Sequence, residues 1–416
     1  MPLDLPPPPY VYVALPEHAP RLQRECSQVL LLSQQEQAKA IARQAAAASA
    51  KRILTNYSKK DSFDSCLKNF ACKALGLSAS SFEIKAVEEV GYSGDQVFAI
   101  KDRVGNRSLG ILKVFQESSG NFFPEVFSLN YLTSRAMANF SFPRMRALGR
   151  FHYEEKNYFL LCESTAPGSS LLGHYRNGLP FADLERGMKE CGRTMAALHR
   201  SHRGKPQAIS ESLEKKTREL LLLAVEKLKA YPQCGIDVEK LEALYEKTLA
   251  DMKSEPLPTS VIHGDAKLIN VFFEPQTNTV TWIDPPKLYE SIDPDGMPNG
   301  IPAKDFYSFI ADIEHQRFSF LLDENQKVCS KELLSLEQIE TLKRAFSLGY
   351  EEGGGKLPTQ RQLAFFSLAA HLYFISSDRT RDKNSCIPEP QKSAREYRMK
   401  NIYSDVESRL LEQTER

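Results

Sequence analysis

The segment that decides the fold reads VIHGDAKLINVFF at residues 261–273, and TVTWIDPP follows it at residues 279–286. β-Branched and aromatic residues recur in both parts, and the turn-forming stretch EPQTN separates them. The pattern predicts a loop that leads into a β-hairpin. Such a hairpin brings together three oxygen-bearing side chains, those of Asp265, Asn270 and Asp284.

The chemistry of these three side chains indicates a metal ligand set and a proton acceptor. Amide and carboxylate oxygens suit Mg²⁺, and a carboxylate that holds no metal can accept a proton from a hydroxyl nucleophile. The competing interpretation is that these Asp and Asn residues only cap turns. We favour the chemical interpretation because the segment comes after a lysine-bearing strand and a change from strand to helix patterns.

Upstream of this segment, residues 82–163 have the pattern of five short antiparallel strands. A strand at residues 82–90 and a returning strand at residues 96–100 flank the turn Gly91-Tyr92-Ser93-Gly94-Asp95. Glycine lets backbone N–H groups approach a ligand closely, so this turn can lie over phosphates. Taken alone, an ordinary hairpin is the simpler interpretation.

The strand SLGILKVF at residues 108–115 carries a lysine, Lys113, on an otherwise apolar face, because alternate residues share a face. Burying an ammonium group without a partner is costly. The predicted partner is Glu125 on the next helix, where Glu125, Leu129 and Leu132 fall on one face. Kinases hold a lysine in this way and direct it at phosphates. The alternative is an edge lysine whose ammonium reaches solvent.

Breaks in these patterns divide the chain into four predicted parts. Residues 1–60 are a Pro-rich tail and an Ala-rich helix, either an accessory helix or a partner-binding or oligomerisation arm. Residues 61–163 are a nucleotide-binding lobe, and residues 164–378 are a helical lobe with the decisive loop and the acceptor site. Residues 379–416 are a helical tail. The predicted fold class is α+β, with an antiparallel five-stranded first lobe and a mainly helical second lobe.

Composition argues against several other classes of protein. The 54 Lys+Arg and 53 Asp+Glu residues leave a net charge of +1, so no overall field attracts nucleic acid or an anionic membrane. No stretch approaches the roughly 18 apolar residues of a membrane helix, and the Pro-rich start lacks the features of a secretory signal. The 8 cysteines have no metal-ligand spacing, which favours reduced thiols. We expect a cytoplasmic protein that binds neither nucleic acid nor membranes.

Several motifs resemble those of the aminoglycoside phosphotransferase and choline kinase-like family of small-molecule kinases, which has the two-lobed protein-kinase fold. His263-Gly264-Asp265 with Asn270 matches the HGDxxxxN catalytic loop, and Ile283-Asp284-Pro285 matches the IDP metal motif. Weaker matches follow family order over roughly residues 62–375, namely Lys113, Glu125, Pro167-Gly168, residues 192–199, Lys304-Asp305 and residues 345–350. The resemblance implies a kinase-like fold and a phosphotransferase that uses ATP and Mg²⁺.

Position by position, the resemblance implies roles for the main polar residues. Asp265 orients or deprotonates the acceptor hydroxyl, while Asn270 and Asp284 hold Mg²⁺. Lys113 touches the α- and β-phosphates, and Glu125 positions Lys113. These few side chains can supply most of the chemistry, because phosphoryl transfer needs mainly alignment and charge neutralisation.

The resemblance assigns the remaining nucleotide contacts to segments rich in backbone groups. Gly91, Ser93 and Gly94 cover the phosphates in this interpretation. Backbone groups near Ser164 and Ala166 receive the adenine. The cofactor-binding set thus extends from the glycine turn to the connector between the two predicted lobes.

Two features separate the chain from typical relatives and from protein kinases. Lys267 stands where Ser/Thr protein kinases keep a lysine that contacts the γ-phosphate, so it is a second predicted catalytic residue beside Asp265. Pro285-Pro286 follows Asp284 where a protein kinase has Phe-Gly, and no Ala-Pro-Glu segment closes an activation loop. A polypeptide acceptor is therefore disfavoured.

The predicted function is transfer of the γ-phosphate of ATP to a hydroxyl of a small molecule that is aminoglycoside-, choline- or sugar-like. Acidic residues after the metal motif, Glu290, Asp293 and Asp295, favour a cationic acceptor, and nearby lysines oppose one. The alternative is a kinase-like protein that acts on or binds a protein partner. It would be a protein-directed kinase or a non-catalytic adaptor, with residues 1–60 as a possible contact.

Overall fold

The structure is a computed structural model in which the backbone is described over most of the residues after residue 61. The described residues are 62–87, 96–105, 107–134, 140–229, 237–254, 256–293, 297–316, 318–322 and 328–376. Three predicted segments lie outside them, namely the extension at residues 1–60, the turn with Gly91, Ser93 and Gly94, and the tail at residues 379–416. The fold is α+β, as the sequence predicts, and divides into two units.

The first unit reaches Gly168 and also includes Thr281–Asn299. Its helices and strands are α1 (Phe63–Leu75), β1 (Phe82–Ala86), β2 (Gln96–Asp102), β3 (Ser108–Gln116), α2 (Phe122–Ser134), β4 (Met145–Tyr153) and β5 (Lys156–Glu163). The strands form one sheet in the order β1-β2-β3-β5-β4, and every neighbouring pair is antiparallel. The predicted five-stranded antiparallel sheet is confirmed.

Helix α1 begins and ends at residues suited to those positions. The Ser62 hydroxyl accepts a hydrogen bond from the Ser65 N–H at 3.2 Å, and Gly76 takes a left-handed conformation with φ of 65°. The buried face of α1, with Leu67 and Phe70, belongs to the hydrophobic core on one side of the sheet together with Leu112 of β3.

Helix α2 belongs to the core on the opposite side of the sheet. Phe122 and Leu129 pack in a cluster with Phe115 of β3 and with Leu161 of β5. Because successive strand residues face opposite sides, Lys113 shares the α2 side of β3 with Phe115. Strand β3 is therefore buried on both faces, and its lysine lies inside the unit.

The second unit comprises Ser169–Val280 and the chain from Gly300 onward. Its elements are β6 (Ser169–Ser170), α3 (Leu171–Asn177), α4 (Phe181–Ser201), α5 (Glu211–Lys229), α6 (Val238–Lys253), β7 (Val271–Glu274), β8 (Thr279–Trp282, which runs into the first unit), α7 (Pro302–His315), β9 (Phe318–Leu322), β10 (Val328–Glu332), α8 (Leu336–Glu352) and α9 (Gln360–Ser376). The strands pair in the orders β6-β7-β8 and β10-β9. No helix in the described part of the chain is long and apolar enough to cross a membrane.

Helices α4 and α8 cross with their backbones in contact, which requires glycine on both sides. A Cβ atom on Gly192 of α4 would lie 2.0 Å from the carbonyl oxygen of Phe346. A Cβ atom on Gly349 of α8 would lie 1.8 Å from the carbonyl oxygen of Lys189. Neither steric clash could be relieved by a side-chain rotation, because the atoms that a Cβ would meet are main-chain oxygens.

Gly349→Ala is expected to lower the free energy of unfolding by about 3 kcal/mol, the upper part of the range for overpacking a core. Alanine gains roughly 1 kcal/mol of helix propensity over glycine, which offsets only part of that loss. Urea unfolding should show the lower midpoint. Leu348→Ala is the control, because that side chain is 48% exposed. An unchanged midpoint for Gly349→Ala would contradict the close crossing.

Candidate functional site

Lys113 is buried at the centre of three carboxylates in the first unit. Only 7% of Lys113 is exposed. Its Nζ contacts a carboxylate oxygen of Glu125, lies 2.9 Å from Glu163 Oε1 and contacts Asp284. The predicted pairing with Glu125 is confirmed, and the edge-lysine alternative is wrong. Asp284, 171 residues further along the chain, joins the same cluster.

The position of Asp284 follows from the way its segment is fixed. The Trp282 N–H donates to the carbonyl oxygen of Ser141 at 2.9 Å, and the Trp282 ring stacks on Phe140 with centroids 6.3 Å apart. Asp284 then takes a left-handed backbone conformation with φ of 52°. Few residues other than glycine adopt this conformation, and such outliers tend to occur at functional sites.

Charge in this cluster is unevenly balanced. Burial would lower the pKa of Lys113, but Asp284, Glu125 and Glu163 together raise it well above its usual value. Burial raises the pKa of Glu125 to about 8, against the opposing effect of Lys113, and raises the pKa of Glu163 for the same reason. Lys113 is therefore held in its charged form, and three carboxyl groups share this one positive charge.

The second unit brings together Asp265, Lys267 and Asn270. The Asn270 side-chain amide donates to the Asp265 carbonyl oxygen at 2.9 Å and to Asp265 Oδ2 at 3.1 Å. Lys267 Nζ lies 2.8 Å from Asp265 Oδ1. The Asp265 side chain is 27% exposed, so a carboxylate with oriented oxygens remains accessible to a ligand.

Buried groups support the start of this loop. Asp305 accepts the His263 N–H at 2.6 Å and the Gly264 N–H at 2.8 Å. His199 places Nε2 3.3 Å from Asp305 Oδ2, and its Nδ1 is 2.8 Å from the Tyr350 hydroxyl. Burial opposes ionisation of Asp305, but hydrogen bonding to His199 and the nearby charges hold its pKa below the usual value. Asp305 is therefore an ionised anchor for the backbone before Asp265.

The connector after β5 is fixed at its first residue. The Ser164 N–H donates to the carbonyl oxygen of Arg144 at 2.9 Å, and the Arg144 N–H donates to the Ser164 hydroxyl at 2.9 Å. Ala166 follows in irregular backbone and is half-buried. The adenine-binding role of both residues stays a prediction, as does the role of the glycine turn.

The donor chemistry of Asp284 and Asn270 fits a hard divalent cation. One carboxylate oxygen of Asp284 contacts the ammonium group of Lys113, and 43% of the Asp284 side chain is exposed. Asn270 donates its amide hydrogens to Asp265, which leaves the amide oxygen as its remaining acceptor. Carboxylate and amide oxygens are ligands that Mg²⁺ accepts. Each of the two side chains thus offers an oxygen of a type that suits Mg²⁺.

Two contacts of the site residues could not be predicted from the sequence. Glu163 pairs with Ile111 in the register of β3 and β5, and this pairing places it diagonally opposite Lys113. Period-two alternation identifies the face of a strand but not its neighbour's register. The second contact joins Asp312 of α7 to the Leu268 N–H at 2.7 Å. Only the tertiary packing of α7 reveals it.

The sequence of residues 89–326 matches the family model described as the phosphotransferase enzyme family. The match covers more than half of the chain and contains every described residue of the predicted site. No curated protein matches the chain.

Solved structures of several phosphotransferases are similar to this chain. An aminoglycoside-3'-phosphotransferase of type VIII is 20% identical over 70% of this chain and 94% of its own, with a TM-score of 0.42. A putative aminoglycoside phosphotransferase from Ralstonia eutropha JMP134 is 15% identical over 82% and 97%, with a TM-score of 0.46. A microcompartment-associated aminopropanol kinase is 14% identical over 81% and 95%, with a TM-score of 0.47.

Proposed function

The chain belongs to the phosphotransferase enzyme family, and from that premise we propose that it transfers the γ-phosphate of ATP, with Mg²⁺, to a hydroxyl group of a small molecule. The observation that carries the proposal is Lys113, buried between Glu125 and Asp284. A lysine held by a helix glutamate and next to a metal-binding aspartate is the arrangement that protein kinases use for phosphoryl transfer from a nucleotide.

Asp265 is the proposed proton acceptor. The acceptor hydroxyl oxygen forms a bond to the γ-phosphorus, and the bond from that phosphorus to the β,γ-bridging oxygen breaks, so ADP leaves. The hydroxyl proton passes to an Asp265 carboxylate oxygen. Asn270 orients that carboxylate through its hydrogen bonds, and Lys267 offsets negative charge on the transferred group.

The first unit supplies the nucleotide contacts in this proposal. Lys113 binds the α- and β-phosphates, and Glu125 keeps the ammonium in position. Asp284 and Asn270 would hold Mg²⁺, which neutralises phosphate charge when bound. Three carboxyl groups share the one ammonium of Lys113, and a bound cation would favour their ionised forms.

The direct test measures ADP release from MgATP over a panel of acceptors, with Asp265→Asn as the blank. The panel contains aminoglycosides, choline, ethanolamine, homoserine and sugars. Acceptor-dependent release that is absent from the variant supports the proposal and identifies the acceptor class. No ADP release with any acceptor, despite intact MgATP binding, rejects these acceptors and favours a protein acceptor. No ADP release together with no MgATP binding rejects catalysis and favours the adaptor alternative.

Asp284→Ala is expected to weaken MgATP binding by at least about 10–100-fold, the loss seen even when the partners of metal ligands are removed. The affinity for ATP without Mg²⁺ should change far less, because the lost group is a metal ligand. Titration calorimetry with and without Mg²⁺ checks this. The control is Asp293→Ala in the same unit, where the Asp293 carboxylate accepts the Met297 N–H at 2.7 Å. Equal MgATP affinity in the wild type and Asp284→Ala would remove Asp284 from the ligand set.

A further inference from the structure

Helix α7 holds the loop around Asp265 at two points. Asp305 and Asp312 are seven residues apart on this helix, or about two turns, so they lie on the same face. Asp305 accepts the N–H groups of His263 and Gly264, before Asp265. Asp312 acts beyond Lys267, at the other end of the loop.

Asp312 is a buried acceptor for one backbone N–H group of that loop. Its Oδ2 lies 2.7 Å from the Leu268 nitrogen, and its Oδ1 lies 3.3 Å from the Gln316 side-chain nitrogen, which donates to it. Only 5% of Asp312 is exposed. Burial of a carboxylate is costly without such hydrogen bonds, and a charged acceptor makes a stronger bond to an N–H group than a neutral one.

The bond to Leu268 lies at a position that controls the neighbouring side chains. Leu268 begins the short 3-10 turn that ends at Asn270, and the first N–H groups of a helical turn have no partner within the turn. Lys267 immediately precedes it, and Asn270 hydrogen-bonds to Asp265. A shift of the Leu268 backbone would therefore move Lys267 and Asn270, which contact the Asp265 carboxylate.

The charge of Asp312 also acts on Lys267. Burial would lower the pKa of Lys267, but Asp265, Tyr373 and Asp312 raise it. Lys267 Nζ also lies 5.7 Å from the centroid of the Tyr373 ring. The lysine is thus held as a cation, and Asp312 is one of the groups that favour this form.

We propose that Asp312 is a positioning residue for phosphoryl transfer, which holds the Leu268 backbone and thereby aligns Asp265, Lys267 and Asn270. This inference rests on the proposed function. Helix α7 would then hold the loop at both ends through hydrogen bonds to Asp305 and Asp312, so that the carboxylate of Asp265 keeps one orientation. Small misplacements of a reacting group are known to reduce rates by about 100-fold.

Three variants separate this role from ordinary core stability. Asp312→Leu removes the acceptor and keeps a similar volume. Asp312→Asn keeps a side-chain oxygen for the Leu268 N–H, and the Gln316 amide can turn its oxygen toward the new amide. Thr217→Val is the control, because Thr217 is buried in α5 and bonds to the Tyr245 hydroxyl at 2.8 Å.

The assay measures acceptor-dependent ADP release, MgATP affinity and hydrogen exchange of the Leu268 amide in the full chain. For Asp312→Leu, kcat should fall by roughly 10- to 100-fold relative to Thr217→Val, with the acceptor KM and MgATP Kd changed only a few-fold. The Leu268 amide should exchange faster. Asp312→Asn should restore most of kcat and of the amide protection, because the hydrogen bond persists.

Several outcomes would overturn the inference. One is an Asp312→Leu variant as active as Thr217→Val. Another is an equal loss of kcat in Asp312→Asn and Asp312→Leu with an unchanged Leu268 amide, which would assign the effect to charge. If Asp312→Leu does not fold, Gln316→Leu takes its place and should lower kcat several-fold, and no loss would again reject the role. A wild type without turnover on any acceptor rejects the proposed function itself, whereas turnover in the wild type with an unaffected Asp312→Leu rejects this inference alone.

Discussion

Asp265→Asn is expected to lower kcat for acceptor phosphorylation by about 10³–10⁴-fold, the upper range for loss of a general base. Asparagine keeps the shape of the side chain and can still accept a hydrogen bond from Asn270. It cannot take the proton of the attacking hydroxyl, and it presents no charge to Lys267 at 2.8 Å. Binding of MgATP should stay within a few-fold of the wild type, because Lys113 and Asp284 remain.

Steady-state kinetics with a measured MgATP Kd would separate these two effects. Asp251→Asn is the matched control, because it makes the same chemical change at an exposed position of α6. More than a tenth of wild-type kcat in Asp265→Asn would exclude proton transfer to Asp265 as an important step. A parallel loss of MgATP affinity would instead indicate that the substitution disturbs the loop.

The sequence predicted those parts of the fold that depend on local pattern. Strand β1 lies within the predicted residues 82–90 and β2 begins at the predicted residue 96, because β-branched and aromatic runs beside a glycine turn favour strands. The pairing of Lys113 with Glu125 was predictable because a lone lysine on an apolar strand face needs a partner. The adjacent helix offers its acid on the face that also carries Leu129.

The parts that the sequence did not predict depend on non-local geometry. Glu163 reaches Lys113 through the register of β3 with β5, which alternation does not determine. Asp312 contacts a backbone group 44 residues earlier, and backbone donors leave no mark in a sequence. The strand pair β9-β10 was also missed, since β9 is a short apolar run that does not separate strand from helix, and β10 has no clear strand pattern.

Replacement of Lys113 by methionine should have the largest effect on stability. The variant leaves Glu125, Glu163 and Asp284 close together without the ammonium that contacts all three. Removing one partner of a buried ion pair typically costs about 3–5 kcal/mol of unfolding free energy. We expect a loss of this size at pH 8 in the absence of Mg²⁺ and nucleotide. Lys189→Met makes the same change at a surface pair with Glu352, where about 1 kcal/mol or less should be lost.

The loss in Lys113→Met should depend on pH in a defined direction. Burial raises the pKa of Glu125 to about 8 and raises that of Glu163 even while Lys113 lowers both, so without Lys113 both values rise further. A carboxyl with a pKa above its unfolded value of about 4.3 binds more protons when folded, so stability falls as pH rises.

The deficit of Lys113→Met, meaning its loss of unfolding free energy relative to the wild type, should therefore be smaller at pH 5 than at pH 8. Urea unfolding at both pH values would show this. Adding Glu125→Gln should recover part of the deficit at pH 8, because it removes a carboxyl group that must bind a proton on folding at that pH. Equal deficits at the two pH values, or no recovery in the double variant, would show that Lys113 stabilises the unit through packing and not through charge. A pH-dependent deficit would instead establish that the buried carboxyl groups of the first unit ionise readily only beside a cation, which is the property that a nucleotide-binding lysine and its metal would use.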